Sequence, residues 1–168
     1  LMARRGLVRV SRTPGRTRHI NFFDVDDRVR LVDLPGYGYA RRSRQERSGW
    51  GPMMDEYLLG RSPLAAVVLL VEARRGPEQQ ERELLELVLA RSLRAIVVAT
   101  KADQVPLRDV PRAAQSLADR LGVAPSWVLP FSKPTGAGRA DIWRSIDAAC
   151  RRWLAAADGA ELAAEIDG

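Results

Sequence analysis

The sequence predicts an α/β fold built on a mostly parallel sheet, and three observations predict it. Leu64 to Val71 and Ala95 to Ala99 are uninterrupted apolar runs, the pattern of strands buried on both faces. Segments with apolar residues at helical spacing separate those runs from each other and from a third short run at Trp127 to Phe131. Strand alternating with helix in this way builds parallel βαβ units with helices on both faces of the sheet.

In chain order, Leu1 to Arg18 is a basic lead with a Thr13-Pro14-Gly15 turn and no apolar period, so it reads as loop. Ile20 to Val25 and Val29 to Asp33 read as strands. Asp26-Asp27 between them suits a tight turn, making the pair an antiparallel hairpin. Tyr37 to Gly51 is polar and arginine-rich, a loop or frayed helix; Pro52 to Leu59 is a short helix with Gly60 past its end. Pro77 to Ala90 is a helix opened by Pro and Glu, with Leu84, Leu85, Val88 and Leu89 on one face. Pro111 to Leu121 places Ala114, Leu117, Ala118 and Leu121 at helical spacing before Gly122 as its C-cap. Arg139 to about Ala157 is a long helix with Ile142, Ile146, Ala149, Cys150 and Trp153 on one stripe. The expected organisation is one domain over 1–157 and a loosely held tail over 158–168.

Composition narrows the partners. The 168 residues are 46% hydrophobic without an apolar run near the length of a membrane span, so a soluble chain with no membrane partner is expected. No charged-then-apolar leader is expected, and the single cysteine, Cys150, fits a reducing cytoplasm. The net charge is +6, and Lys101 and Lys133 are the only lysines, so the basic character is almost all arginine. Arginine pairs with phosphate through two parallel N–H bonds, which makes a nucleic-acid or ribosomal surface a fair partner class. An arginine-rich proteome accounts for the bias equally well.

Ligands of a doubly wound sheet sit at the carboxyl ends of its strands, and four segments there carry suggestive residues. Asp33, Leu34, Pro35 and Gly36 follow the second hairpin strand; Thr100-Lys101-Ala102-Asp103 follows the strand ending at Ala99. Phe131-Ser132-Lys133 closes the third, and Thr17 precedes the first hairpin strand. Singly, each has a plain structural alternative: Asp103 caps a turn, Ser132 caps a helix, Thr17 is a loop residue. Their joint order along the chain is the more specific signal.

These segments resemble the EngB-type bacterial ribosome-biogenesis GTPases. The likeness is carried by Thr13-Pro14-Gly15-Arg16-Thr17-Arg18-His19-Ile20-Asn21-Phe22-Phe23, by Leu31 to Ala40, by Thr100-Lys101-Ala102-Asp103 and by Phe131-Ser132, within a stretch from about Leu7 to Trp153. The resemblance implies a Ras-like P-loop GTPase fold, a three-layer sandwich, with GTP or GDP and Mg²⁺ as ligands. Thr17 would be the switch threonine on Mg²⁺ and the γ-phosphate, amid a mobile loop of Gly15, Arg16, Arg18 and His19. Asp33 would hold Mg²⁺ through a water, and the Gly36 N–H would touch the γ-phosphate. Asp103 would accept both guanine N–H groups, Lys101 would cover the base with its aliphatic stem, and backbone N–H groups around Ser132 would meet the guanine carbonyl. Thr100 stands where other GTPases place Asn, as in this family.

Tyr37 follows Gly36 where Ras-like proteins place a water-orienting glutamine, so slow unaided hydrolysis is expected. His19, the sole histidine, is expected to serve the loop rather than acid–base chemistry. The resemblance also implies a cytoplasmic monomer that assists assembly of the large (50S) ribosomal subunit precursor, rRNA and ribosomal proteins, with a link to cell division and septation.

One part of the pattern is missing. The sequence contains no Gly-x-x-x-x-Gly-Lys-Ser/Thr loop, whose N–H groups cradle phosphates. The expectation is a domain lacking its first strand, its P-loop and most of its first helix, with Leu1-Met2-Ala3 as that helix's end. Such a fragment would be inactive. The alternative is a P-loop-less pseudo-GTPase acting as a non-catalytic rRNA or ribosomal-protein binding module through Arg41, Arg42, Arg44 and Arg47.

Overall fold

The computed structural model describes residues 20–26, 28–34 and 64–166, the last eight of these by backbone alone. The expected helix over Pro52 to Leu59 and the arginine-rich segment Tyr37 to Gly51 lie outside the described residues. The chain divides into two compact units, Leu1–Pro63 and Leu64–Gly168.

In the first unit, β1 (Asn21–Val25) and β2 (Val29–Asp33) form the expected antiparallel hairpin, with Asn21 opposite Asp33 and Val25 opposite Val29. The Arg28 N–H closes the turn on the Val25 carbonyl at 3.0 Å. Asp26 takes a positive φ of 50°, which short polar side chains tolerate best after glycine. Opposite residues Asp24 and Arg30 make a two-pronged ion pair, Nε to Oδ1 at 2.6 Å and the second nitrogen to Oδ2 at 3.0 Å. That hydrogen bond holds the Asp24 carboxyl below the ordinary carboxylate range.

The second unit is the α/β body. Its sheet runs β3 (Val67–Glu72), β4 (Ala95–Thr100), β5 (Val128–Pro130), all parallel, with Val67 opposite Ala95 and Val97 opposite Val128. Helix α1 (Gln79–Ala90) connects β3 to β4, α2 (Val110–Leu121) connects β4 to β5, and α3 (Arg139–Ile166) follows β5. Successive residues of a strand face opposite sides of a sheet, and Ala95 through Ala99 are all buried, so β4 is covered on both faces. The core joins these residues to Val71, to Leu84, Leu85 and Val88 of α1, to Leu117 and Ala118 of α2, and to Ile142, Ile146 and Ala149 of α3. Each Val, Leu or Ile among them contributes roughly 1.5–3 kcal/mol by leaving water.

Several element ends differ from expectation for identifiable reasons. β3 starts at Val67, three residues late, because pairing begins only where Ala95 arrives opposite it. Leu89, expected on the inner face of α1, is 39% exposed; Leu84, Leu85 and Val88 suffice to fill that contact. Trp127 lies in a 3₁₀ turn ahead of β5, with the Arg94 guanidinium 5.9 Å from its ring centre. Helix α3 runs on to Ile166, so most of the expected tail is helical. Gly159 inside it costs about 1 kcal/mol against Ala.

Candidate functional site

The loops that leave β4 and β5 carry two of the expected segments. At the end of β4 the Thr100 hydroxyl donates to the Val71 carbonyl of the neighbouring strand at 3.1 Å, fixing where the loop departs. Lys101 then adopts a left-handed conformation, φ 55° and ψ 35°, turning the chain into a short 3₁₀ segment, Ala102–Gln104. The turn is closed by the Gln104 N–H on the Lys101 carbonyl at 3.0 Å. Asp103 is exposed on it, its carboxylate open to a ligand.

The loop after β5 is held against this one by backbone. The Phe131 N–H donates to the Ala99 carbonyl at 2.9 Å, and the Ala102 N–H donates back to the Phe131 carbonyl at 3.0 Å. Thr100-Lys101-Ala102-Asp103 and Phe131-Ser132-Lys133 are 28 or more positions apart in sequence, yet two consecutive backbone hydrogen bonds lock them side by side.

Ser132 is buried, and its groups are committed internally. Its N–H donates to the Ala137 carbonyl at 3.1 Å, its carbonyl accepts from the Gly136 N–H at 2.9 Å, and its Oγ accepts from the Thr135 N–H at 3.3 Å. Ser132 therefore shapes the loop and cannot also offer its N–H to a ligand. Among the described residues the next N–H, that of Lys133, has no backbone acceptor, and Pro134 has no N–H. Gly138 lets the loop close: at φ +80°, a Cβ there would stand 1.9 Å from the Pro130 carbonyl oxygen.

Glu72, which the sequence reading did not single out, belongs to this cluster. It ends β3 opposite Thr100, and its Oε2 accepts from the Lys101 Nζ at 2.5 Å. That hydrogen bond holds the Glu72 carboxyl below the ordinary range. The one sequence signal was an apolar strand, Val67 to Val71, ending in a carboxylate.

Asp33 ends β2 as expected and is exposed, with Leu34 after it half-buried. Both belong to the first unit. Gly15, Arg16, Thr17, Arg18, His19, Pro35 and Gly36 lie outside the described residues. A cleft of about 390 Å³ beside α2, walled by Arg74, Arg112 and Arg120, contains none of the expected site residues. Arg120 is fixed there by donating to the Arg75 and Pro77 carbonyls at 3.3 and 3.2 Å. Among the described residues no group of three or more His, Cys, Asp or Glu side chains could hold a metal, and no helix is long and apolar enough to cross a membrane.

The chain is similar to several known proteins. A family model described as 50S ribosome-binding GTPase matches residues 1–101. The chain is 45% identical over 148 residues to a probable GTP-binding protein EngB of Geobacter sulfurreducens, covering 88% of this chain and 72% of that protein. Its counterpart in Anaeromyxobacter dehalogenans is 40% identical over 157 residues, at 88% and 73% coverage. Among solved structures, a crystal structure of a probable GTP-binding protein engB superposes with a TM-score of 0.70 at 18% identity, covering 84% of this chain and 87% of that one. Era in complex with MgGDPNP and nucleotides 1506–1542 of 16S ribosomal RNA superposes at 0.59 and 17% identity, over 82% of this chain and 46% of that one. These superpositions identify the α/β body as a Ras-like GTPase fold. By its sequence matches, the chain belongs to the EngB family of GTP-binding proteins.

Proposed function

We propose that this chain recognises the guanine base of GTP and GDP and serves, with Mg²⁺, in assembly of the large ribosomal subunit in the cytoplasm. The observation that carries the base-recognition reading is the Ala102-to-Phe131 backbone hydrogen bond. It brings an exposed carboxylate, Asp103, and the Lys133 N–H, which has no backbone acceptor among the described residues, to neighbouring loops at the carboxyl ends of β4 and β5. Guanine presents two N–H donors and a carbonyl acceptor on one side. Asp103 accepts from the first pair and the Lys133 N–H donates to the carbonyl. Adenine offers an amino donor where guanine has that carbonyl, and it leaves both protein groups facing the wrong partner. Lys101 covers the base with its stem.

Mg²⁺ fits the donor set expected of it. The ion prefers a few hard oxygen ligands and keeps waters, being bound through one or two carboxylates plus phosphate oxygens rather than a protein cage. Asp33 offers such a carboxylate, and Thr17 would add a hydroxyl. When bound, Mg²⁺ neutralises charge developing on the phosphates. Gly15, Arg16, Arg18 and His19 would form the loop beside the nucleotide, and Pro35 would set the Gly36 N–H toward the γ-phosphate. With no Gly-x-x-x-x-Gly-Lys-Ser/Thr segment in these 168 residues, we expect binding much weaker than micromolar and no measurable GTP hydrolysis by them alone. Support for the ribosomal role comes from the matched family's description and from the arginine-dominated charge of +6.

The test is saturation-transfer NMR with GDP and ADP at about millimolar concentration, a range in which weak complexes exchange fast. GDP should receive saturation at its base protons and ADP should not. Asp103→Asn should weaken GDP by roughly tenfold and favour the xanthine nucleotide, whose extra carbonyl accepts from the new amide. Equal signals from GDP and ADP would refute guanine recognition.

A further inference from the structure

The geometry points to Glu72 as a positioning residue for base recognition: it holds the Lys101 ammonium at the end of β3, so that the lysine stem lies across the base-reading loop. The inference rests on the guanine-binding reading given above and adds a residue to it.

Three features place the pair. Glu72 and Thr100 are opposite one another in the β3–β4 register, so Lys101 is the first residue past the paired strands. The Ala73 N–H donates to the Thr100 carbonyl at 2.9 Å, fixing both strand ends just where the side chains meet. Lys101 takes a left-handed backbone, φ 55°, which a non-glycine residue adopts only at a cost. From there its ammonium reaches back to Glu72 at 2.5 Å. The lysine is 54% exposed and Glu72 28%, so neither partner is buried for packing.

Other charges near Glu72 do not displace the lysine. Arg74 and Arg75 both act on its carboxylate at longer range. Arg75 is itself engaged by Glu78 and Glu81, and among the described residues the side chain that donates a hydrogen bond to Glu72 is that of Lys101. A free lysine stem has many rotamers, and ordering one on a bound base costs conformational entropy. An ammonium already anchored has surrendered part of that freedom before the ligand arrives. Glu72 thus acts through Lys101 and touches no ligand.

A double-mutant cycle on the full chain separates this role from a structural one, with GDP affinity read by NMR titration and ADP as control. Glu72→Gln should weaken GDP about three- to fivefold, the range of an exposed ion pair. In a Lys101→Met background, which keeps an apolar stem without the ammonium, Glu72→Gln should change nothing further. Glu72→Asp, which keeps the charge, should restore most of the affinity, and it serves as the charge-retaining check if Glu72→Gln lowers folding stability. Equal GDP affinity of wild type and Glu72→Gln, or the same loss in both backgrounds, overturns the positioning role while the preference for GDP over ADP stands. A wild type that does not prefer GDP overturns the guanine reading and this inference together.

Discussion

At the scale of single residues, the site depends on backbone conformations that few side chains accept. Gly138 is the plainest case, since its positive φ and the Pro130 carbonyl at 1.9 Å from any Cβ oppose substitution together. Gly138→Ala should destabilise the fold by about 1–3 kcal/mol, because backbone must shift to admit the methyl. It should also weaken GDP binding by displacing the Ser132–Lys133 turn. Urea denaturation checks the first expectation and the NMR titration the second. Glu72 makes a pH-dependent contribution whose sign follows from its partner. Its carboxyl titrates lower in the folded protein than in the unfolded chain, so its stabilisation is fully present above the unfolded value and is lost as pH falls through the folded one. The melting-temperature gap between wild type and Glu72→Gln should therefore close on acidification below the ordinary glutamate range. A gap that persists at low pH would assign the effect to packing instead.

At the scale of elements, strands and helices were legible wherever one short segment supplied its own reason. Ala95 to Ala99 could be read as doubly buried because every residue is apolar, and Gly122 as a C-cap because a glycine follows the last residue of the helical period, where it takes a φ of +67°. Element ends were less legible, since β3 begins where its partner arrives and not where its apolar run starts. The Glu72–Lys101 pair was not legible at all: its members are 29 positions apart, and only the register brings them opposite. Of the proposed base-reading cluster, Asp103 and Ser132 could be placed on the loops after β4 and β5 from sequence. The internal use of the Ser132 N–H, and with it the assignment of Lys133, needed the fold. The start of α1 shows the same mixture. Pro77 and Glu78 announce a helix, but the cap is completed by Glu81, whose Oε2 accepts from the Glu78 N–H while Oε1 accepts from Arg75, both at 2.5 Å. Glu81 is buried, so both bonds are sheltered from water. Glu81→Ala should cost about 1–2 kcal/mol through loss of this capping interaction and leave Arg75 with Glu78 alone. Thermal unfolding with circular dichroism measures it.

At the scale of the whole molecule, the residues assigned to the base and the one assigned to the metal rest on parts of unequal internal stability. The loops proposed to read the base leave β4, where Ala95 through Ala99 are all buried and Val97 is at 0% exposure, and β5, where Val128 is buried. Opening them requires disrupting the three-stranded sheet. Asp33 instead ends a two-stranded hairpin in which no described residue is buried and Phe22 is 46% exposed. A two-stranded hairpin has little apolar surface of its own to resist opening, whereas amides of a covered central strand exchange only when the unit opens globally. Hydrogen exchange followed by mass spectrometry should therefore find β4 amides protected on the order of a thousandfold or more beyond those of β1 and β2. Adding GDP at millimolar concentration should raise protection at 101–104 and 131–138 and leave the hairpin near its free rate. That order would suit the proposed roles, with reading given to Asp103 and Lys133 on the firmer unit and switching to Asp33 on a hairpin with little stability of its own. Hairpin amides as slow as those of β4 without nucleotide would show that Asp33 sits on equally firm ground, and the division of labour between reading and switching would fall.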